Sequence, residues 1–380
     1  MAKREAISSQ AAGIVVKIGS AVFMDAQGRV DRPAFAGLVS SLDALVRRGW
    51  EVTVVSSGAV AMGRQWLGQK MDSEGIPEKQ ALAALGQSRL MQMYEAEFWH
   101  YERKIAQVLF TRGDLSSRKR YLNARRTLER IHRFGAIPVI NENDTVATEE
   151  LRFGDNDELA GMTAGVVGAE LVVLLSDVEG LFEVEKSDDG QRRYGALVSE
   201  IAVDDERIDR WAGPSDSDVG TGGMISKVEA ARLAARFGAS TVIAPGKKGH
   251  VLEAIVEGEE VGSWLRPGGT SPVEGKKVWL GAGAVARGVV RCDEGAVRAI
   301  WERGASLLPS GIVAVEGEFG EGEVVELVGP NQEVIGRGLA VYDAKAMAAI
   351  AGQHSDEIEA TLGYKLLDAA VHRDNLVVIS

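Results

Sequence analysis

A chain of 380 residues exceeds what one hydrophobic core commonly supports, so a large domain with a smaller companion is expected. Its 45% hydrophobic and 26% charged residues exclude a disordered protein, and the net charge of −12 opposes attachment to nucleic acid or anionic lipid by bulk electrostatics. One cysteine, Cys292, excludes an internal disulfide, and the five histidines, at 100, 132, 250, 354 and 372, are too scattered to form a His/Cys metal cluster. The apolar run behind the charged N-terminus ends at Lys17, too short for a signal-peptide core, and the strongest apolar run, Leu171 to Leu175, is far below membrane-spanning length. A cytoplasmic protein that handles a small molecule is expected.

In chain order, residues 13 to 18 form an apolar run broken only by Lys17, which predicts a strand buried on both faces. A helix over 32 to 49, a strand over 51 to 56, helices over 59 to 66 and 78 to 101, a strand over 106 to 110, a helix over 120 to 134 and a strand over 137 to 140 follow. The alternation continues with a helix over 157 to 167 and a strand over 171 to 175. An antiparallel excursion near 181 to 200, a helix over 226 to 237 and a strand over 240 to 244 complete it. Strands alternating with helices predict a mainly parallel sheet covered on both faces, with ligands outside the carboxyl ends of the strands. After residue 265 the pattern changes. The stretch 266 to 275 reads as a linker. Short strands near 277 to 280, 287 to 290, 312 to 317, 323 to 327 and 333 to 338, with one helix over 294 to 303, predict a small β-barrel-like module over 276 to 354, leaving 355 to 380 as a C-terminal segment.

The most informative stretch is Gly220-Thr221-Gly222-Gly223-Met224-Ile225-Ser226-Lys227. Glycines this close let backbone N–H groups converge, the helix behind them adds partial positive charge, and Lys227 adds a full one, as a polyphosphate requires. It also reads as an ordinary glycine-rich turn before a helix. Neither the Walker A spacing nor a Gly-x-Gly-x-x-Gly fingerprint occurs. Four further segments follow predicted strands, and a fifth, Gly154 to Asp157, opens a helix. Lys17-Ile18-Gly19-Ser20 puts an ammonium at a strand end, where it either meets phosphate or snorkels to water. Ser56-Ser57-Gly58-Ala59 opens a helix, either holding an anion or serving as an N-cap. The loops Asn141-Glu142-Asn143-Asp144 and Gly154-Asp155-Asn156-Asp157 are dense in amides and carboxylates, and Ser176-Asp177 contacts a nucleotide or caps the next turn.

No histidine or cysteine lies in any of these loops, so the usual general base and covalent nucleophile are missing. Phosphoryl transfer to an acceptor that is already anionic needs neither; it needs charge neutralisation and alignment. The inventory of lysines, anion cradles and amides therefore points to a carboxylate kinase.

On Ile140-Asn-Glu-Asn-Asp-Thr-Val-Ala147, Gly154-Asp-Asn-Asp-Glu-Leu-Ala160 and Gly222-Gly223-Met224 with Lys227, the chain closely resembles the glutamate 5-kinases. These are the proline-biosynthesis branch of the amino acid kinase family, here with the C-terminal PUA domain of many bacterial members. Asp293-Glu-Gly-Ala296, Arg303-Gly-Ala-Ser-Leu-Leu-Pro309 and Gly322-Glu-Val324 repeat the PUA pattern. The resemblance implies a three-layer αβα sandwich over 1 to 265 that phosphorylates the side-chain carboxylate of L-glutamate with ATP. In it Lys17 and Lys227 neutralise the moving phosphoryl group, Asp157 orients them, and Ser57, Asp144 and Asn156 grip glutamate. Lys17, Ser176, Asp177, Thr221, Gly222, Gly223, Met224, Ile225, Ser226 and Lys227 line the nucleotide. Mg²⁺ arrives on the ATP phosphates, without a direct protein ligand. The resemblance further implies feedback inhibition by proline, a homo-oligomer (dimer or tetramer), and glutamate-5-semialdehyde dehydrogenase (gamma-glutamyl phosphate reductase) as a candidate partner. Ala21, Ser176 and Ser226 depart from the family's usual hydroxyl, Thr and Thr; the two serines retain the hydroxyl.

Two alternatives remain at this stage. One is another kinase of the same fold, acting on acetylglutamate, aspartate, carbamate or a nucleoside monophosphate. The other is an RNA-binding role through the PUA module, which its charge disfavours: residues 276 to 354 hold 8 Lys and Arg against 10 Asp and Glu.

Overall fold

A computed structural model of the chain describes residues 4, 13–25, 27–68, 75–116, 118–147, 156–186, 192–213, 223–268 and 286–378. The chain divides into two compact units, one of Met1–Leu115 with Lys119–Pro272 and one of Val273–Ser380 with Ser116–Arg118.

The first unit is built on an eight-stranded sheet. Its strands are β1 Gly13–Ile18, β2 Glu51–Ser56, β3 Lys104–Phe110, β4 Ala136–Glu142, β5 Leu171–Ser176, β8 Glu200–Ala202, β9 Ser240–Pro245 and β10 Ser263–Arg266, while β6 Phe182–Lys186 and β7 Arg192–Leu197 form a separate antiparallel hairpin. The order across the sheet is β3-β4-β2-β1-β5-β9-β10-β8, and every neighbouring pair is parallel except β9 with β10. Runs such as Leu171-Val-Val-Leu-Leu175, buried at every position, need cover on both faces. On one face Ile14, Val16, Ile18, Val173 and Leu175 pack against Phe35, Leu42, Tyr94 and Phe98 of the helices Arg32–Arg47 and Ile76–Trp99. The helices Asn156–Val167 and Met224–Arg236 pack together and against the sheet. Alternation along β1 turns Val15 and Lys17 away from the face that holds Ile14, Val16 and Ile18.

The elements β8 and β10 and the helices Arg207–Ala212 and Val251–Val256 were not expected from the sequence. All are six residues or fewer, too short for a period to declare itself.

In the second unit β11 Gly288–Cys292, β12 Ile312–Gly317, β13 Val324–Val328, β14 Val334–Ala340 and β15 Val371–Val378 form one sheet in the order β12-β11-β13-β14-β15. The expected strand over 277 to 280 lies outside the described residues. The separate C-terminal segment expected over 355 to 380 is corrected by β15, which pairs antiparallel with β14 from Gly336↔Val378 to Ala340↔Val371. Buried Tyr342 anchors its approach: the phenol donates to Leu367 O at 2.6 Å and accepts from Leu366 N and Leu367 N. The helices Ala344–Ile350 and Ile358–Leu362 were also missed. Burial pushes the Cys292 thiol up to about 12, so it is an inert core group.

One contact sets the spacing of the first unit near Ser57. The helices Ala59–Leu67 and Ile76–Trp99 cross so tightly that a Cβ at Gly86 would lie 1.7 Å from Ala59 O and 2.5 Å from Gly63 N. Both are backbone atoms and cannot swing aside. Gly86→Ala is therefore expected to destabilise the chain by about 3 kcal/mol or more. Urea denaturation checks this; a midpoint equal to the parent's contradicts the crossing.

Candidate active site

Strand β1 lies between β2 and β5, where the connections leave in opposite directions, the position at which an open α/β sheet forms a crevice. Two backbone bonds hold that crevice's floor: Ser57 N donates to Ile18 O at 3.0 Å, and Gly19 N donates to Leu175 O at 3.3 Å. The loops after β1, β2 and β5 are thereby fixed side by side.

Lys17, near the end of β1, is 5% exposed, and Lys227, in the first turn of the helix Met224–Arg236, is equally buried. Neither reaches bulk water; both reach Asp157, which is fully buried. Lys17 Nζ lies 2.5 Å from Asp157 Oδ1, and Lys227 Nζ lies 3.1 Å from Oδ2. Ser226 Oγ donates to the same Oδ2 at 3.1 Å. Burial by itself would raise the Asp157 carboxyl, but Lys17 and then Lys227 outweigh it and hold it below the usual carboxylate range. Asp157 is thus an anion with both oxygens engaged, unfit to accept a proton near neutral pH. The cluster carries two positive charges against one negative.

The helix that bears Lys227 begins at Gly223, an extended residue whose position offers no side-chain cap to the first N–H groups. Gly223 O, 2.9 Å from Ser226 Oγ, is the alternative acceptor for the same hydroxyl hydrogen. Met224 is half-buried and Ile225 is 46% exposed in that first turn. A helix N-terminus with no side-chain cap, the Ser226 hydroxyl and the nearby lysines suit a polyphosphate. Thr221 and Gly222, predicted to join this cradle, lie outside the described residues, as do Gly154 and Asp155. At the end of β5, Ser176 Oγ donates to Asp177 Oδ1 at 3.0 Å, and Gly246 N donates to Ser176 O at 2.7 Å, which ties β5 to the loop after β9.

Beside Asp157, Asn156 organises a second group. Its Nδ2 lies 2.7 Å from Ser56 O, 3.0 Å from Ser57 Oγ and 2.8 Å from Asn141 Oδ1. The loop carrying Asp144 is pinned by Asn143 N to Phe110 O at 2.8 Å and by Gln80 Nε2 to Ala147 O at 3.1 Å. The structure therefore joins Lys17, Asp157, Ser226 and Lys227 in one cluster and Ser57 with Asn156 in a second. The sequence of neighbours Asn156 and Asp157 links the two. Asn141 was named only as part of its amide-rich segment, and Gln87 and Tyr94, which hold the second cluster from behind, were not singled out in the sequence. Only the glycine next to Gln87 hints that this part of a long helix is pressed against something.

The model of the amino acid kinase family matches residues 13–245, and that of the PUA domain matches residues 288–362. The chain belongs to the amino acid kinase family. Proteins named glutamate 5-kinase are similar to this family member over nearly all of it. The one from Teredinibacter turnerae is 46% identical over 378 residues, 100% of both chains. That from Myxococcus xanthus is 47% identical over 368 residues, 96% of each, and that from Pelobacter propionicus is 43% identical over 366 residues, 96% of this chain and 97% of the relative. Among the described residues, no helix is long and apolar enough to cross a membrane.

Replacing Asp157 by Asn removes the carboxylate that Lys17 and Lys227 share, and breaking a buried ion pair in this way costs about 3–5 kcal/mol. We expect Asp157→Asn to lower Tm strongly and then to gain more Tm from added ATP than the parent does, because the phosphates supply the missing anion. Thermal melts with and without nucleotide decide this; an equal ATP-induced gain in both proteins contradicts it.

Proposed function

We propose that this family member transfers the γ-phosphoryl group of ATP to the side-chain carboxylate of L-glutamate, giving L-glutamyl 5-phosphate, the first step of proline biosynthesis. The observation that carries the proposal is the buried Lys17–Asp157–Lys227 bridge at the joined carboxyl ends of β1 and β5. The named relatives and their full-length similarity support the choice of acceptor.

The mechanism follows from charge. A glutamate side chain with an ordinary pKa of about 4.3 arrives ionised at neutral pH, so its oxygen attacks phosphorus without losing a proton to the enzyme. What must be offset is the repulsion between that carboxylate and the triphosphate, and the charge spread over the phosphoryl oxygens in flight. Lys17 and Lys227 supply two ammonium groups there, and Asp157 keeps both aimed without titrating. Ser57, Asn156 and Asp144 are assigned to the amino-acid end of glutamate. Ser176, Asp177 and the segment Thr221 to Lys227 are assigned to the nucleotide, with Lys17 shared.

The donor set also bears on the metal. Both oxygens of Asp157 are engaged by ammonium groups, so a Mg²⁺ ion would arrive with ATP and not be held by this carboxylate. When bound it adds charge neutralisation on the phosphates. The reading extends, on family resemblance, to feedback inhibition by proline at an overlapping site, to a homodimer or homotetramer, and to a cytoplasmic location. An acyl phosphate hydrolyses readily, which favours direct hand-over to glutamate-5-semialdehyde dehydrogenase as partner.

Trapping the product with hydroxylamine as a hydroxamate, across glutamate, acetylglutamate, aspartate, carbamate and nucleoside monophosphates, tests the acceptor directly. Glutamate is expected to dominate; preference for another acceptor rejects the proposal. Lys227→Ala is expected to lower kcat by about 10²–10³-fold with a far smaller change in glutamate KM, because its charge counts most in the transition state. Unchanged turnover would remove Lys227 from the mechanism. Asp144→Ala is expected to act the other way, raising glutamate KM about tenfold or more with kcat largely kept. A glutamate KM equal to the parent's counts against that assignment.

A further inference from the structure

Three segments meet over the carboxyl end of β5. From the loop after β1, Gly19 N donates to Leu175 O, and from the loop after β9, Gly246 N donates to Ser176 O at 2.7 Å. Gly246 also abuts the short helix Ser20–Phe23, which continues directly from the segment bearing Lys17. A Cβ at Gly246 would lie 2.5 Å from Val22 Cγ2, 2.8 Å from Val22 Cγ1 and 3.1 Å from Leu175 Cβ. The backbone there is not left-handed, so glycine is needed for room and not for conformation.

The neighbours have no room to give. Val22 is 2% exposed and β-branched, which leaves its χ1 few alternatives, and Leu175 is fully buried in an interior strand. An added methyl group therefore shifts either the helix Ser20–Phe23 or the loop after β9. The first displacement moves the segment that follows Lys17. The second pulls on Ser176, whose hydroxyl donates to Asp177 Oδ1 at 3.0 Å and so orients that carboxylate. Both consequences fall on the nucleotide side. In the sheet order β1 separates β5 and β9 from β2 and β4, whose ends carry Ser57 and Asn141 of the acceptor cluster.

We propose that Gly246 is a positioning residue of the nucleotide site: its contact with Val22 and its bond to Ser176 O set the spacing between the Ser176–Asp177 end of β5 and the segment carrying Lys17. The inference rests on the glutamate-kinase reading and deepens it, adding the loop after β9 as a further wall of the ATP site.

The test measures KM for ATP and for glutamate in the parent, Gly246→Ala, Val22→Ala and the double variant, by hydroxamate trapping. Gly246→Ala is expected to raise ATP KM about tenfold or more while glutamate KM stays within about threefold, because small misplacements at one subsite are costly there alone. Val22→Ala removes the two methyl groups that the new Cβ meets. The double variant is therefore expected to return ATP KM to within about threefold of Val22→Ala alone, a rescue that independent sites do not show. Should Gly246→Ala be too unstable for steady-state assay, the Tm gained from each ligand reads the same split: a smaller gain from ATP with an unchanged gain from glutamate is expected. An ATP KM equal to the parent's, equal losses toward both substrates, or a double variant no better than Gly246→Ala overturns the inference while leaving the kinase reading intact. A parent that fails to phosphorylate glutamate with ATP overturns both.

Discussion

Two buried ammonium groups share one buried carboxylate, and the rest of the catalytic unit serves that arrangement. Burying ammonium groups as deeply as Lys17 and Lys227 is costly unless they are paired. Asp157 pairs with both, 2.5 Å from one and 3.1 Å from the other. The trio itself formally carries one net positive charge, which suits an incoming anion. Such charge acts strongly because little water screens it.

The fold supplies closeness. An aspartate side chain is short, so Asp157 can bridge β1 and the helix Met224–Arg236 only if the helix Asn156–Val167 lies nearly in contact with both. Gly161, one turn beyond Asp157, provides this: a Cβ there would lie 2.6 Å from Ala230 O. Gly165 continues the seam against the ring of Phe237. At the other end of the strand, Gly13 allows the same intimacy with Ala169, where an added Cβ would meet Cα at 3.0 Å. The glycines conspicuous in the composition are thus partly helix-packing residues, beyond the tight turns they were expected to serve.

What the sequence revealed and concealed follows from the length scale of each signal. The strands β1, β2, β5 and β9 were legible because parallel strands covered on both faces must be apolar throughout, a pattern few other elements imitate. The short β8 and β10 at the far edge of the sheet offer too few positions for any period to emerge, and β15, interrupted by His372, Arg373, Asp374 and Asn375, lacks the continuous apolar run that marks a buried strand. Within the candidate site, Lys17 at a strand end and Lys227 behind a run of glycines were legible as charges, while the role of Asp157, at a helix start where aspartate also serves as a cap, came from the family resemblance. Gln80, Gln87 and Tyr94 did not stand out. Scattered polar residues on a long helix look like its solvated face, and only coordinates reveal that they reach the carboxyl ends of β2 and β4 and the loop after β4.

The claim that Asp157 acts through the lysines, rather than alongside them, is tested most directly by a double-mutant cycle on kcat built from Asp157→Asn, Lys227→Gln and the pair together. If the carboxylate's task is to hold the ammonium in place, the double variant is expected to lose little more than the worse single one, a large departure from additivity. Losses that multiply independently would contradict the account.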